Sequence, residues 1–242
     1  MKINSTSLHS TLRAARPAIL LALVSALITA PVARAADAPA SPTATKDTLV
    51  KQVANDAAFY QTLQFDPSTI VPNWVVAHAK GVLILDGSSS PNHDGHAIGL
   101  IKGSDKKFSA PAFYVLGHSA DGLQKAPAGV QVVAFLMTDQ AVRSLTENQI
   151  TLAGLHAVAG DPNSTAAPAG SMPDIIIFQE SSNLDPSALL AVTTLSVNNP
   201  NNALFYEQSG LTAADIFSGK VEVPTAAAPL VDTFNQQAAT PN

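Results

Sequence analysis

The stretch FYVLGHSADGLQ, Phe113 to Gln124, decides which fold the rest of the chain is read into. A strand running into Gly-His-Ser is how many lipases and esterases present a nucleophile, at a sharp strand-to-helix turn. That turn needs glycine two residues before and two residues after the serine, because larger side chains would collide with the strand and helix it joins. Gly117 meets the first requirement for Ser119, but Asp121 stands at the second and Gly122 comes one residue late. The partners are out of place too. In that fold an acid and then a histidine follow the serine. The only histidine after Ser119 is His156, and the acids between them are Asp121, Asp139 and Glu147. Asp121 shares the turn with Ser119, and the other two flank a predicted surface helix. His118, Ser119 and Asp121 are therefore read as a polar turn at a strand end, and no catalytic residue is assigned. An exported serine hydrolase is the alternative that this stretch keeps in view.

Outward from the turn, the pattern is helices first and strands after. Leu49, Val50, Val53, Ala54, Ala57, Tyr60 and Leu63 recur at three- and four-residue spacing, which predicts a helix from Lys46 that closes at Asp66-Pro67. Asn73 can cap a short helix through Trp74 to Ala79. Strands are predicted at Gly81–Asp86, Ala97–Lys102, Ala112–Leu116, Val130–Met137, Gln149–Val158, Ile175–Gln179 and Leu189–Val197, separated by Gly, Pro, Asn, Asp and Ser. One helix interrupts them, capped by Thr138 with Ala141, Val142 and Leu145 on its apolar side. Asp161 to Pro173 reads as a surface loop, Ala213–Phe217 as a helical turn capped by Thr212, and Leu230–Gln237 as a short final helix. The fold class is thus α+β: N-terminal helices, then a mainly antiparallel sheet or barrel-like core, in a single domain.

The first 35 residues read as a secretory signal, with Lys2, Arg13 and Arg16 ahead of an apolar run Ala18 to Ala30 and a small-x-small site at Ala33-Arg34-Ala35. The run is shorter than a membrane-spanning helix needs. Cleavage near Ala35-Ala36 would leave a flexible leader over 36–45, a domain over 46–224 and a tail over 225–242, in a periplasmic or secreted protein. The chain has no cysteine, which removes lipoprotein anchoring, disulfides and thiolate sites. The whole chain carries a formal net charge of −5, and loss of residues 1–35, with four basic residues and no acidic one, takes it to −9. That opposes nucleic-acid binding and general adsorption to anionic surfaces. Lipid contact would have to come from apolar side chains or from a local basic patch. Lys102, Lys106 and Lys107 form a small one, diluted by Asp105 and read as a solvated hairpin.

The histidines give weak metal signals. His93, Asp94 and His96 fall on one loop and are candidate ligands, with His118 the one tempting third partner. Short spacing without geometry favours solvated loop residues, so no metal or cofactor is assigned. His78 and His156 are read as core-edge histidines.

Taken in order, AKGVLI (Ala79–Ile84), FSAPAFYVLG (Phe108–Gly117), GLQ (Gly122–Gln124), VVAFLMTDQAVRSL (Val132–Leu145), ITLAGLHAVAG (Ile150–Gly160) and ALFYEQSGLTAADIFSGKVEVP (Ala203–Pro224) resemble the SYLF domain family. The resemblance covers nearly all of the chain beyond residue 45. It implies a non-enzymatic, lipid-binding domain, with actin and phosphoinositides linked to eukaryotic members, and it makes GHSADG a glycine-rich turn with local substitutions. Lys125-Ala126-Pro127 stands where the family carries more glycine, marking a divergent member. The export signal argues against transferring actin as a partner. The family's membrane-active N-terminal helix corresponds to Lys46–Leu63. On it Leu49, Val50, Val53 and Tyr60, with Trp74 beyond, are the candidate lipid contacts. The same stripe would equally bury against the domain's own sheet, which is the commoner fate of such a face. Lys51, Asn55, Asp56 and Gln61 are read as its polar face. An envelope protein-interaction module and a metal-dependent hydrolase are the remaining alternatives.

Overall fold

A computed structural model describes residues 44–87, 95–117, 130–147, 149–152, 154–180 and 194–240, which fall in one compact unit. The chain opens with α1 (Lys46–Phe65) and α2 (Asn73–His78), followed by β1 (Gly81–Asp86), β2 (His96–Ile101), β3 (Ala112–Gly117) and β4 (Gln131–Leu136). Then come α3 (Asp139–Ser144), β5 (Gln149–Thr151), β6 (Ala157–Ala159), β7 (Ile175–Gln179) and β8 (Thr194–Val197). Three helices finish it: α4 (Asn199–Tyr206), α5 (Ala213–Phe217) and α6 (Ala228–Ala239). Thr45 and Thr138 cap α1 and α3, and Thr212 with Asp215 forms a capping box on α5.

The strands form one eight-stranded sheet in the order β5-β8-β3-β2-β1-β4-β7-β6. Every pairing is antiparallel except β6 with β7. The sheet is open, so the expected α+β class holds and the barrel-like alternative does not. It is nonetheless steeply curled. Seven steps of about 4.8 Å would set the edges of a flat sheet roughly 34 Å apart. Thr151 in one edge strand and Ala157 in the other are joined by a segment that reaches at most about 21 Å.

Gln149–Val158, expected as one strand, is two short ones on opposite edges of the sheet. Gly154 lies between them at φ +89°, a left-handed conformation that suits glycine. Of the expected strand Leu189–Val197, residues 194–197 are described and are strand.

Alternation along the strands divides the core in two. Val82, Ile84, Ile98, Leu100, Phe113, Val133, Phe135 and Phe178 face α1, α2, α4 and α6. Leu83, Leu85, Ala97, Tyr114, Ala134, Leu136 and Leu195 face the other way, where α3 and α5 cover them with Ala141, Leu145, Ala213 and Ile216. Phe234 of α6 stacks on Tyr60 of α1 at 4.4 Å between ring centres and also meets Phe108 and Phe135. Gly81 opens β1 where a Cβ would lie 3.0 Å from the Leu100 carbonyl, so the close strand approach depends on its missing side chain.

Candidate functional site

The basic hairpin is not merely solvated. It forms one wall of a cleft of about 600 Å³ between the end of α2, the β2–β3 connection and the end of α6, lined by His78, Lys80, Lys102, Lys106, Lys107 and Asn235 among others. Without residues 1–35 the chain has nine Lys and Arg side chains, so four of the nine line this one cleft.

Local structure fixes each lysine differently. Lys102 follows β2, and its Nζ donates to the carbonyls of Val76 and Ala77 at 2.7 and 2.9 Å, at the C-terminal end of α2 where helix carbonyls lack partners. The ammonium also sits 4.8 Å from the centre of the Phe108 ring. Burial brings its pKa down to about 8. Lys80, immediately before β1, pairs with Asp139 at 2.8 Å. Lys106 takes a left-handed backbone at φ 65° in the hairpin, and Asp105 Oδ1 accepts the Lys107 amide at 3.1 Å. Among the described residues neither Lys106 nor Lys107 has an ion-pair partner, and both are exposed. The Phe108 amide donates to Asn235 Oδ1 at 2.8 Å, which ties the hairpin to α6.

The same end of the molecule exposes apolar side chains. Phe65, the last residue of α1, is 84% exposed and Ile70 37%. Gln237 of α6 connects them to the cleft. Its Nε2 donates to the Val71 carbonyl at 2.8 Å and approaches Gln64 Oε1 at 3.5 Å, while the adjacent Ala238 and Ala239 line the cleft wall.

The candidate lipid contacts lie elsewhere. Leu49, Val53 and Tyr60 are 0–1% exposed and Trp74 6%, all within the domain's own core, and Val50 is half-buried against it. Tyr60 donates its hydroxyl to Gln237 Oε1, and Trp74 Nε1–H donates to the Ser164 carbonyl at 3.0 Å. Trp74, Val75, Val158 and Ile176 also border a shallow apolar recess of about 320 Å³. The face of α1 that the sequence singled out thus packs against the sheet in this structure.

His78 and His156, read as core-edge histidines, are both exposed. His78 sits in the last turn of α2 with its Nδ1 2.8 Å from the Trp74 carbonyl, and the His156 amide donates to Asp174 Oδ2 at 3.0 Å. His118, Ser119 and Asp121, and also His93 and Asp94, lie outside the described residues.

His96 has partners that the loop reading missed. Asp86 stands directly opposite it on β1, and Asp56 of α1 lies above both, with His96 Nε2 3.7 Å from Asp56 Oδ1 and 3.9 Å from Asp86 Oδ2. Asp56 is 0% exposed, which corrects its assignment to the polar face of α1. Burial raises its pKa, against a lowering by His96. The spacing held the clue: 49, 53, 56, 60 and 63 alternate steps of four and three, and Asp56 is the polar member of that buried row.

Comparison with known proteins gives a consistent picture. The family model described as Ysc84, Las17-binding protein actin regulator, matches residues 122–237. Protein YSC84 of Saccharomyces cerevisiae is 28% identical over 189 residues, which cover 72% of this chain but only 39% of the yeast protein. The chain therefore corresponds to about two-fifths of that relative's length. No solved structure matches it significantly.

Proposed function

The chain is a SYLF-domain protein, of a family associated with actin and lipid binding, and from that premise we propose that it acts by contact, without catalysis, at an anionic lipid surface. The observation that carries the reading is the gathering of Lys80, Lys102, Lys106 and Lys107 at one cleft of an otherwise acidic chain, beside the exposed Phe65 and Ile70. Acidic net charge repels an anionic surface at long range, and at physiological salt that repulsion is screened beyond about 8 Å. A local cluster then governs the encounter, with each basic residue near the surface contributing about 1 kcal/mol. Phe65 adds an apolar side chain at the interface level, where an aromatic ring is favourably placed.

No helix among the described residues is long and apolar enough to cross a membrane. With residues 1–35 acting as an export signal, the surface met is that of the cell envelope. The core position of Leu49, Val53 and Tyr60 moves the contact away from the apolar face of α1 and onto its C-terminal end. Co-sedimentation with phosphatidylglycerol and phosphatidylcholine vesicles tests the proposal. The expected result is pelleting with the anionic vesicles alone, weakened by salt and lost in a Lys102→Gln, Lys106→Gln, Lys107→Gln variant. Equal pelleting with both vesicle types, or none with either, would refute it.

A further inference from the structure

We propose that Asp56, Asp86 and His96 form a binding site for a divalent first-row transition cation, with Zn²⁺ the best fit, which fastens α1 to the sheet.

The case begins with Asp56. Its carboxylate is fully enclosed, and neither oxygen has a hydrogen-bond partner. Enclosed carboxylates are ordinarily paired or bound to metal, since an isolated charge away from water is strongly unfavourable. The groups facing it answer that need only in part. His96 Nε2 is 3.7 Å from Oδ1, beyond hydrogen-bond distance, and has no hydrogen-bond partner of its own. Asp86 brings a second carboxylate of the same sign. A dication between them would meet the lone pairs of all three groups and balance both negative charges.

The geometry suits such an ion. One ligand atom from each residue can be chosen so that all lie within 4.8 Å of one another. Tetrahedral coordination at 2.0–2.2 Å separates ligand atoms by roughly 3.4 Å. The 3.7 and 3.9 Å separations about His96 Nε2 are a few tenths of an ångström wider, within reach of small side-chain rotations.

The fold holds the ligands from three directions. Asp86 pairs in register with His96 on one side and with Gln131 on the other, so the three residues form a row across β2, β1 and β4 on the face that α1 covers. Gln131 Nε2 donates to Asp86 Oδ2 at 2.9 Å, the kind of outer contact that orients a carboxylate ligand. Asp56 descends from α1 between Val53 and Tyr60, both fixed in the core. The His96 and Asp86 side chains are 34% and 25% exposed, so an ion can enter from solvent and retain water.

The donor set selects the ion. One imidazole nitrogen with two carboxylates suits Zn²⁺, and Mn²⁺ less well. Ca²⁺ wants six to eight oxygens, which these residues do not offer.

The test uses the full chain, stripped with EDTA and titrated with Zn²⁺ or Mn²⁺ alone, reading both calorimetric stoichiometry and thermal melting. About one equivalent of Zn²⁺ should bind, with a melting temperature raised by several degrees. Asp56→Asn and His96→Ala should each weaken binding about tenfold or more and remove the shift. Asp56→Asn is isosteric and removes a buried charge, so it should fold at least as well as the metal-free parent. Failure of the parent to bind either ion, or undiminished affinity in both variants, would overturn the proposal. Retained affinity would mean that histidines elsewhere hold the ion.

Discussion

Asp86 and His96 face each other across the β1–β2 pair, and the strand register carries that row onward to Gln131 on β4. Asp56 meets the row from above, as the one acidic side chain in the buried stripe of α1. In the metal-free protein its carboxylate lies in the interior with its pKa raised, mainly by burial. Replacing it with asparagine removes the enclosed charge and keeps the shape. In EDTA at neutral pH, Asp56→Asn is expected to stabilise the fold by on the order of 1–3 kcal/mol in urea unfolding. A variant less stable than its parent would show that the carboxylate is compensated in a way that the geometry does not display.

Asn202 carries a second buried polar contact, made through one end of its amide. Its Oδ1 accepts the Phe113 amide at 2.8 Å, fixing α4 against β3. Asn202→Ala leaves that amide without an acceptor and should lower stability by about 1–3 kcal/mol, measured by chemical denaturation.

Phe234 is fully buried among Tyr60, Phe108 and Phe135 and links α6 to the rest of the core. Truncating it opens a cavity that rigid neighbours cannot fill. Phe234→Ala should cost about 3–5 kcal/mol, with Leu substitution considerably milder.

Lys102 gives a pH signature in which binding and stability move oppositely. Burial lowers its pKa from 10.5 to about 8, so between those values the unfolded chain holds a proton that the folded one has released. Stability therefore rises with pH across that window, and the burden of the enclosed ammonium is fully present below about 8. Binding to anionic vesicles should instead weaken as pH rises through 8, because the cleft loses a charge. Lys102→Met should remove both trends. A parent whose vesicle binding stays flat from pH 7 to pH 9 would exclude Lys102 from the contact.

Much of the fold was legible because hydrophobic periodicity reports burial directly. The apolar runs of β1, β2, β3, β4 and β7, and the three-four spacing of α1, place those elements correctly. What escaped was set by tertiary context. Residue type alone points Asp56 to a polar face, whereas its place in the 49-53-56-60-63 row puts it inside. Gln149–Val158 is continuously apolar enough to resemble one strand, and only the separate partners β8 and β7 divide it. The helix at Asn199–Tyr206 is hard to read from sequence because its start is rich in asparagine and proline, residues common in turns. In fact Asn198 accepts the Asn201 amide as an N-cap, and Pro200 sits in the first turn where its missing amide is harmless. The basic cleft was half visible. Lys102, Lys106 and Lys107 are neighbours in the chain, but Lys80 and the α6 wall join them only through folding.

The most direct test of the lipid-surface proposal asks which end of the molecule touches the bilayer. The chain has no cysteine, so single introduced cysteines can each carry an environment-sensitive fluorophore without background. One label belongs at Phe65. The other belongs at Glu207, which pairs with Lys46 at 2.9 Å and so marks the opposite end of α1, roughly 30 Å away. On adding phosphatidylglycerol vesicles, the account expects a blue shift and protection from aqueous quencher at 65, with no change at 207. Equal responses at both positions, or a response at 207 alone, would contradict it.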